Sequence, residues 1–187
     1  MKQPLLQTEN LIVRLPMRED AAAIVDYYHR NQEHLRPWDP KHPPDFFTAE
    51  YWLQRIDQNI DEYHLGVSCR FFLFPIEEAA KVIGHAGFSQ IIRGSFHACY
   101  LGYTLDEQMQ GKGIMFEALT EAIAYMFEKQ NLHRIMANYL PHNVRSGKLL
   151  RRLGFTVDGY SRDYLMINGK WEDHVMTSLT NQEWREE

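Results

Sequence analysis

Gln108-Met-Gln-Gly-Lys-Gly113 stands between a stretch that predicts a β-strand, Ala98 to Leu105, and one that predicts a long helix, Gly113 to Lys129. Glycine lets the backbone approach a ligand closely. The first turn of a helix adds N–H groups without partners and the positive end of the helix dipole. The segment therefore predicts a site for an anion, typically a phosphate, and Lys112 would add a positive charge. The alternative, which this segment alone leaves open, is a plain strand-to-helix turn with glycine chosen for its conformation.

Two other nucleotide-binding motifs are excluded by the letters of this segment. The dinucleotide fingerprint GxGxxG needs a third glycine where Phe116 stands. The Walker A motif needs Ser or Thr after the lysine, and Lys112 is followed by Gly113. A short phosphate-binding loop of another kind remains.

The segments around the loop predict a mixed sheet flanked by helices. The order β-α-α-β-β-β-α-β-α-β-β is typical of an α/β or α+β domain rather than of a regularly alternating doubly wound fold. Strands are predicted at Leu11–Leu15, Val67–Phe74, Lys81–Ile91, Ala98–Leu105, Arg134–Tyr139, Phe155–Tyr160 and Trp171–Leu179. Helices are predicted at Arg18–Arg30, Thr48–Glu62, Gly113–Lys129 and Asn143–Leu153. No repeat or linker divides the chain, so one domain over residues 1–187 is expected.

Ser146 is predicted to point into the domain from the helix that follows Asn143. If Asn143 caps this helix, the serine shares its face with Leu149, Leu150 and Leu153. Three basic residues share the outward face, namely Arg145, Lys148 and Arg152. A buried serine often bonds only to the helix carbonyl four residues earlier, so its position alone leaves a purely structural role open.

Composition and charge exclude several classes of protein. Hydrophobic residues make up 44% of the 187 residues and charged residues 24%, which is typical of a folded chain. The net charge of −5 argues against a general nucleic-acid binder. No apolar run approaches the ~20 residues that cross a bilayer. The first ten residues, MKQPLLQTEN, do not form a secretory signal, so a cytoplasmic location is expected.

Cysteine and histidine spacing gives no sign of a disulfide framework or a metal site. Cys69 and Cys99 lie far apart in separate apolar stretches, so both are expected to be buried thiols. The nine histidines show no HExxH or comparable spacing, and no metal is expected.

Several segments together resemble the GNAT N-acetyltransferase superfamily, in which a Q/R-x-x-G-x-G/A loop binds the pyrophosphate of acetyl-CoA. Gln108 to Gly113 fits this pattern, and the resemblance covers essentially the whole chain. It is strongest toward the branch that acetylates the N-termini of ribosomal proteins. The stretches that carry it are Arg93-Gly-Ser-Phe-His-Ala-Cys-Tyr-Leu-Gly-Tyr103, Gln110-Gly-Lys-Gly113, Met115-Phe-Glu-Ala-Leu-Thr120, His133-Arg-Ile-Met-Ala-Asn-Tyr139, Pro141-His-Asn143, Arg145-Ser146, Leu153-Gly-Phe155 and Asp173-His-Val175.

The resemblance implies a sheet whose central strands splay apart to hold the pantetheine arm of acetyl-CoA. Strand residues would pair with that arm, the loop N–H groups would hold the pyrophosphate, and Asn143 would bond the arm. A main-chain N–H of the central strand would polarise the thioester carbonyl. The cofactor-binding residues implied in this way are Tyr103, Leu105, Gln108, Gln110, Gly111, Lys112, Gly113 and Asn143. Ser146 is implied as the proton donor to the departing thiolate.

The implied reaction is direct attack of a neutral α-amine on the thioester, with the N-terminal alanine of a ribosomal protein as the expected acceptor. An α-amine has a pKa of about 7.7–8.0, against about 10.4 for lysine, so a strong general base is less necessary. The base is left open among Asp163, His97 and His174. A covalent route through Cys99 lacks any visible activating neighbour.

The Pro-rich stretch Arg36 to Pro44 is expected to help recognise the acceptor. Trp38 would form a rigid apolar wall with Pro37 and Pro40, or would instead pack against the sheet. A strand pair near Tyr160 to Ile167 is expected to close the other side of the groove.

Two other functions remain open at this stage. One is a small-amine acetyltransferase acting on a polyamine or a drug, although the predicted groove shows no distinctive acidic cluster. The other is a non-catalytic CoA-binding regulatory module, against which the intact loop, Asn143 and Ser146 weigh. No direct nucleic-acid or membrane partner is expected, and the sequence leaves the oligomeric state open.

Overall fold

One sheet of eight strands organises the computed structural model, which describes residues 3–186. Its order is β1-β2-β3-β4-β5-β6-β8-β7, and only β5 and β6 run parallel to each other, so the sheet is mixed, as predicted. The strands are β1 (Leu5–Gln7), β2 (Leu11–Arg14), β3 (Cys69–Pro75), β4 (Gly84–Ile92), β5 (Ala98–Leu105), β6 (Arg134–Met136), β7 (Thr156–Ile167) and β8 (Lys170–Thr180).

The α-helices between residues 3 and 186 are α1 (Ala21–Arg30), α2 (Gln32–Leu35), α3 (Ala49–His64), α4 (Ile114–Glu128) and α5 (Val144–Arg152). Side-chain caps begin two of them. Thr48 Oγ1 accepts the N–H of Tyr51 at 3.2 Å at the start of α3. Asn143 Oδ1 accepts the N–H of Ser146 at 3.1 Å at the start of α5, so the predicted Asn143 cap is confirmed.

Alternating side chains of β3 separate two hydrophobic cores. Phe71 and Leu73 belong to the core that α4 covers, whereas Phe72 and Phe74 belong to the core that α1 and α3 cover. Successive side chains of a strand point to opposite faces, so an uninterrupted apolar run is expected in a strand buried on both sides. The sheet therefore lies between two helical layers, which confirms the predicted fold class.

The sheet opens between its two parallel strands. β5 pairs with β6 only from Ala98 to Tyr100. β5 then continues to Leu105 beside β4, whereas β6 ends and its chain turns to bridge β8 at Tyr139. Within the described chain, the second half of β5 has no strand neighbour on this side, which leaves an edge that an extended ligand can pair with. The central splay implied by the resemblance is confirmed.

Some element boundaries differ from the predictions. The helix predicted from Arg18 begins at Ala21, because residues Arg18–Asp20 form a 3-10 turn. In that turn the Asp20 carboxylate accepts the N–H of Met17 at 2.6 Å. The strand predicted from Lys81 begins at Gly84, and the strand predicted to reach Tyr139 ends at Met136.

The last strand pair is longer than predicted, since β7 continues to Ile167 and β8 begins at Lys170. β1 and α2 were not predicted, because elements of three and four residues contain too few residues to show a period. Among residues 3–186, no helix combines the length and the apolar character needed to cross a membrane.

Candidate active site

A cleft of about 960 Å³ lies at the end of β5 where the sheet opens. Its walls come from α2 and the residues after it, from the end of β5, from the loop before α4, and from α5. The predicted site residues that line it are Tyr103, Leu105, Gln110, Gly111, Gly113, Asn143 and Ser146. The fold thus brings most of the predicted site into one place.

Gln108 and Lys112 are the predicted site residues that do not line the cleft. Gln108 is exposed, and its backbone N–H donates to Asp106 Oδ1 at 3.0 Å in the turn before the loop. Lys112 is also exposed, with its Nζ 3.9 Å from Met109 Sδ. The loop therefore offers a ligand its backbone rather than these two side chains.

The glycine loop presents N–H groups that have no hydrogen-bond partner among residues 3–186. Gly111 and Gly113 have φ of +75° and +81°, in the left-handed region that glycine adopts without strain. Nothing lies within 4 Å of the position a Cβ would take at either glycine. In the part of the chain described, the N–H groups of residues 111–113 make no backbone hydrogen bond. Gly113 caps α4, so these groups and the first helical turn form a cradle that fits a phosphate group.

Ser146 contacts Tyr103 across the cleft, with 2.7 Å between their hydroxyl oxygens. Among residues 3–186, the serine hydroxyl makes no bond to a helix carbonyl, so the purely structural interpretation loses its main support. Burial raises the pKa of Tyr103 to about 12, although the bond to Ser146 lowers it in part. Both hydroxyls therefore carry their protons at neutral pH.

Gln110 connects two walls of the cleft. Its amide Nε2 lies 2.8 Å from His34 Nε2, and its amide oxygen accepts a hydrogen bond from the Arg145 guanidinium. Because the amide nitrogen can only donate, His34 Nε2 is the acceptor in this contact. This contact was not predicted, since it joins α2 to α5 through a side chain whose local sequence gives no sign of either partner.

The Pro-rich segment supplies another wall of the cleft. Pro37 and Trp38 line it, and the Trp38 ring lies 5.4 Å from the His142 ring. The N–H of Asn168, in the turn between β7 and β8, donates to the carbonyl of Asp39 at 3.2 Å. Trp38 therefore stands on the cleft wall and the hairpin touches the same segment, whereas Pro40 lies outside the lining.

The three candidate bases all lie outside the cleft lining. His97 follows the β4–β5 turn, with its ring 5.1 Å from that of Trp184. Asp163 is exposed on β7. His174 is buried, with its ring 5.4 Å from that of Tyr164. The structure brings none of the three to the predicted cofactor residues.

A chain of side chains that sequence reasoning missed reaches the cleft from the α1 side. Thr104 lines the cleft, and its Oγ1 accepts the hydroxyl of Tyr27 at 2.8 Å and lies 2.6 Å from His85 Nδ1. Burial, with the Arg70 guanidinium nearby, lowers the pKa of His85 to about 3, so the ring is neutral at physiological pH. The three residues come from α1, β5 and β4, and only the fold brings them together.

Both cysteines are buried, as predicted, and neither lines the cleft. Burial raises the pKa of the Cys99 thiol to about 12, and it raises the pKa of the Cys69 thiol as well. Neither thiol ionises at neutral pH, which agrees with the prediction of direct transfer rather than a covalent cysteine intermediate. Residues 3–186 contain no group of three or more His, Cys, Asp or Glu side chains arranged for a metal ion.

Comparison with known proteins decides the family. The family model described as an acetyltransferase (GNAT) domain matches residues 10–156. The chain belongs to the GNAT acetyltransferase family. It is 51% identical to the [ribosomal protein uS5]-alanine N-acetyltransferase of Escherichia coli K12, over 96% of this chain and 92% of that protein. The predicted family resemblance is thereby confirmed.

Solved structures of GNAT proteins support the same family assignment. The crystal structure of ribosomal-protein-S5-alanine acetyltransferase from Vibrio fischeri matches with a TM-score of 0.94 and 44% identity, covering 98% of this chain and all of that one. RimJ of Mycobacterium smegmatis, in complex with CoA-disulfide, matches with a TM-score of 0.86 and 25% identity, covering 98% of this chain and 89% of that one. A GNAT relative with this fold therefore holds a CoA species.

Proposed function

We propose that this GNAT enzyme transfers the acetyl group of acetyl-CoA to the N-terminal alanine of ribosomal protein uS5. The observation that carries the proposal is the 51% identity to the Escherichia coli uS5-alanine enzyme over 96% of this chain. The cleft adds independent support, because it joins a phosphate cradle to an open strand edge and a pair of hydroxyls. The cytoplasm remains the expected location.

The cleft residues bind acetyl-CoA in three places along its length. N–H groups of residues 111–113 and of the first turn of α4 hold the pyrophosphate. The free edge of β5 near Tyr103 to Leu105 pairs with the pantetheine arm. Asn143 uses its Oδ1 to cap α5, which leaves its Nδ2 group for that arm. Acetyl-CoA itself supplies the acetyl group as a thioester.

Proton transfer is divided between the two sides of the thioester. A neutral α-amine attacks the carbonyl, and Ser146 donates a proton to the departing thiolate while Tyr103 holds the serine in place. The proton that the amine loses needs an acceptor or a water chain on the acceptor side. That proton passes to solvent water through the open cleft, because His85, bonded to Thr104, has a pKa of about 3 and does not hold a proton at neutral pH.

A peptide panel tests the proposal. The enzyme is incubated with acetyl-CoA and a peptide of the uS5 N-terminus that begins with alanine, and the products are weighed by mass spectrometry. Comparison samples contain the same peptide with a blocked α-amine and an internal lysine, or a polyamine such as spermidine. Acetylation of the free N-terminus alone is the expected result. Acetylation of spermidine alone would favour a small-amine enzyme, and tight CoA binding without turnover would favour a regulatory module.

A further inference from the structure

A row of basic side chains on α5 borders the cleft. Arg145, Lys148 and Arg152 all line it, and their spacing of three and four residues places them in one stripe of the helix. The stripe is the face that the sequence predicts to point outward, and in the structure this face borders the cleft. At about 1.5 Å per helical residue, it extends for roughly 10 Å.

These three cations have no carboxylate partner in the part of the chain that the structure describes. Arg145 donates to the Gln110 amide, and the Arg152 guanidinium lies 3.8 Å from the centre of the Phe116 ring. Other arginines, such as Arg14, Arg30 and Arg55, do pair with carboxylates. In a chain with a net charge of −5, an unneutralised cationic row beside a ligand cleft favours a bound anion.

The basic row lies on α5, apart from the backbone N–H groups of the glycine loop, so the cleft can hold a second anionic group. The loop meets its phosphate with backbone N–H groups, and the row lies on a different element. Glu107 is the acidic side chain among the lining residues, and it belongs to the 3-10 turn before the loop rather than to α5. CoA carries a pyrophosphate and, separately, a phosphate monoester on the 3′ oxygen of its ribose. The monoester is therefore the remaining anionic group of the ligand.

We propose that Lys148 and Arg152 bind the 3′-phosphate of CoA, so that the enzyme prefers CoA to 3′-dephospho-CoA. This inference rests on the proposed function, because it assumes that CoA occupies the cleft. Arg145 is tied to Gln110 and so stands beside the pyrophosphate loop. Lys148 and Arg152 lie one and two turns further along α5 than Arg145. Arg152 lies against Phe116 in the first turn of α4, beside the phosphate cradle.

Calorimetric titration with CoA and with 3′-dephospho-CoA tests the proposal. The wild-type enzyme is expected to bind CoA about tenfold more tightly, since charge-assisted phosphate contacts are strong. The preference is expected to shrink as salt is added. A Lys148→Gln, Arg152→Gln double variant is expected to lose most of this preference while its affinity for 3′-dephospho-CoA stays unchanged. Arg151→Gln is the matched control, because Arg151 is exposed on the same helix and does not line the cleft.

The outcomes separate this inference from the proposed function. Equal wild-type affinity for the two ligands would overturn the 3′-phosphate site and leave the proposed function intact. A double variant that loses affinity for both ligands equally would also overturn it, since the two side chains would then not distinguish the ligands. Failure of the wild-type enzyme to bind either ligand would overturn both proposals. Circular dichroism and melting temperatures check that every variant is folded.

Discussion

The proposed role of Ser146 as proton donor can be tested directly, because its hydroxyl bonds Tyr103 rather than the helix backbone. Ser146→Ala is expected to lower kcat by about 10²-fold, since positioned proton transfer is typically worth that much or more. Acetyl-CoA affinity is expected to stay near the wild-type value. Steady-state assay of released CoA measures kcat, and calorimetry measures the affinity.

Tyr103→Phe is the matched variant for Ser146, since it removes the partner hydroxyl and keeps the serine. A smaller loss of kcat than in Ser146→Ala is expected. An unchanged kcat in Ser146→Ala, together with a large loss in Tyr103→Phe, would assign the proton to the tyrosine.

His85 predicts a specific loss of stability in acid. The pKa of His85 is about 3 in the folded protein, whereas an unfolded histidine has a pKa of about 6.5. Above pH 6.5 His85 is neutral in both the folded and the unfolded protein, so its protonation does not change the free energy of unfolding. As the pH falls from 6.5 toward 3, the unfolded chain takes up a proton that the folded chain does not, and stability declines.

The variant His85→Gln is therefore expected to flatten the decline of the urea midpoint between pH 6.5 and pH 4. His64→Gln is the control, because His64 is exposed on α3. Equal slopes in His85→Gln and in the wild-type enzyme would contradict the assignment.

The residues of the site differ in how far sequence could predict them. The position of Ser146 depends on helical spacing within one segment, and the glycine loop depends on six consecutive residues, so both could be found locally. The contacts of Tyr103 with Ser146 and of Thr104 with His85 could not be found locally, because they depend on how β5 packs beside α5 and pairs with β4. His34 could not be predicted, because its bond to Gln110 spans the cleft between distant elements.

At the scale of elements, the loop before α4 is tested by Gly113→Val. The valine is expected to lower CoA affinity, since its side chain would occupy the open side of the phosphate cradle. It will also lower stability by at least about 1–2 kcal/mol, because φ is positive at this position. Calorimetry and urea unfolding measure the two effects.

Gly94→Val separates strain from binding. Gly94 has a φ of +70° and no atom within 4 Å of its Cβ position, but it lies in the turn between β4 and β5 and does not line the cleft. Gly94→Val is expected to lose about as much stability as Gly113→Val and to keep the wild-type affinity for CoA. If both variants kept wild-type affinity, the loop would be only a turn.

The Pro-rich segment is tested through Trp38. Trp38→Ala is expected to raise KM for the acceptor peptide several-fold, because the ring stands on the cleft wall with the β7–β8 hairpin against its segment. Acetyl-CoA affinity is expected to change less. Trp171→Ala is the control, since Trp171 is exposed on β8 outside the cleft lining. A loss of acetyl-CoA affinity with an unchanged peptide KM would place Trp38 on the cofactor side.

The element boundaries show why local patterns are insufficient. β7 was predicted to stop at Tyr160, but it continues to Ile167 as an irregular strand. Its register shifts between Ser161 and Leu165, and Asp163 has a φ of +46°. The shift between Val157 and Gly159 adds one residue to β7 and so moves the following side chains to the opposite face, which breaks the alternation expected of a strand. The long helices α3 and α4 were predicted well, because their apolar faces repeat over several turns.

At the scale of the whole molecule, the two faces of the sheet carry different parts of the candidate site. The phosphate cradle and the basic row belong to α4 and α5 on one face, whereas Tyr27 and His85 belong to the α1 side. The two faces meet where β5 and β6 separate, because Tyr103 and Thr104 are neighbours on β5 whose side chains point to opposite faces. The proposed thioester and the attacking amine would therefore meet through the gap in the sheet.

This arrangement makes a prediction about acceptor and pH. At pH 7.5, about one third of the molecules of an α-amine are neutral, compared with about 0.1% for a lysine side chain. The value of kcat/KM for an alanine-initiated peptide is therefore expected to rise from pH 6 and level off near pH 8.5, following the α-amine. His85 adds no inflection in this range, because its pKa is about 3.

A peptide with a blocked α-amine and a free internal lysine is the control, and it is expected to give no product at any of these pH values. Efficient acetylation of that lysine would show that the enzyme supplies a strong general base. Among the described residues that line the cleft, Glu107 is the one carboxylate that could take this role. A pH dependence that vanishes in His34→Gln would instead be assigned to the enzyme rather than to the substrate. Since kcat/KM reports free enzyme and free substrate, a midpoint near pH 8 that His34→Gln does not change assigns the titrating group to the substrate.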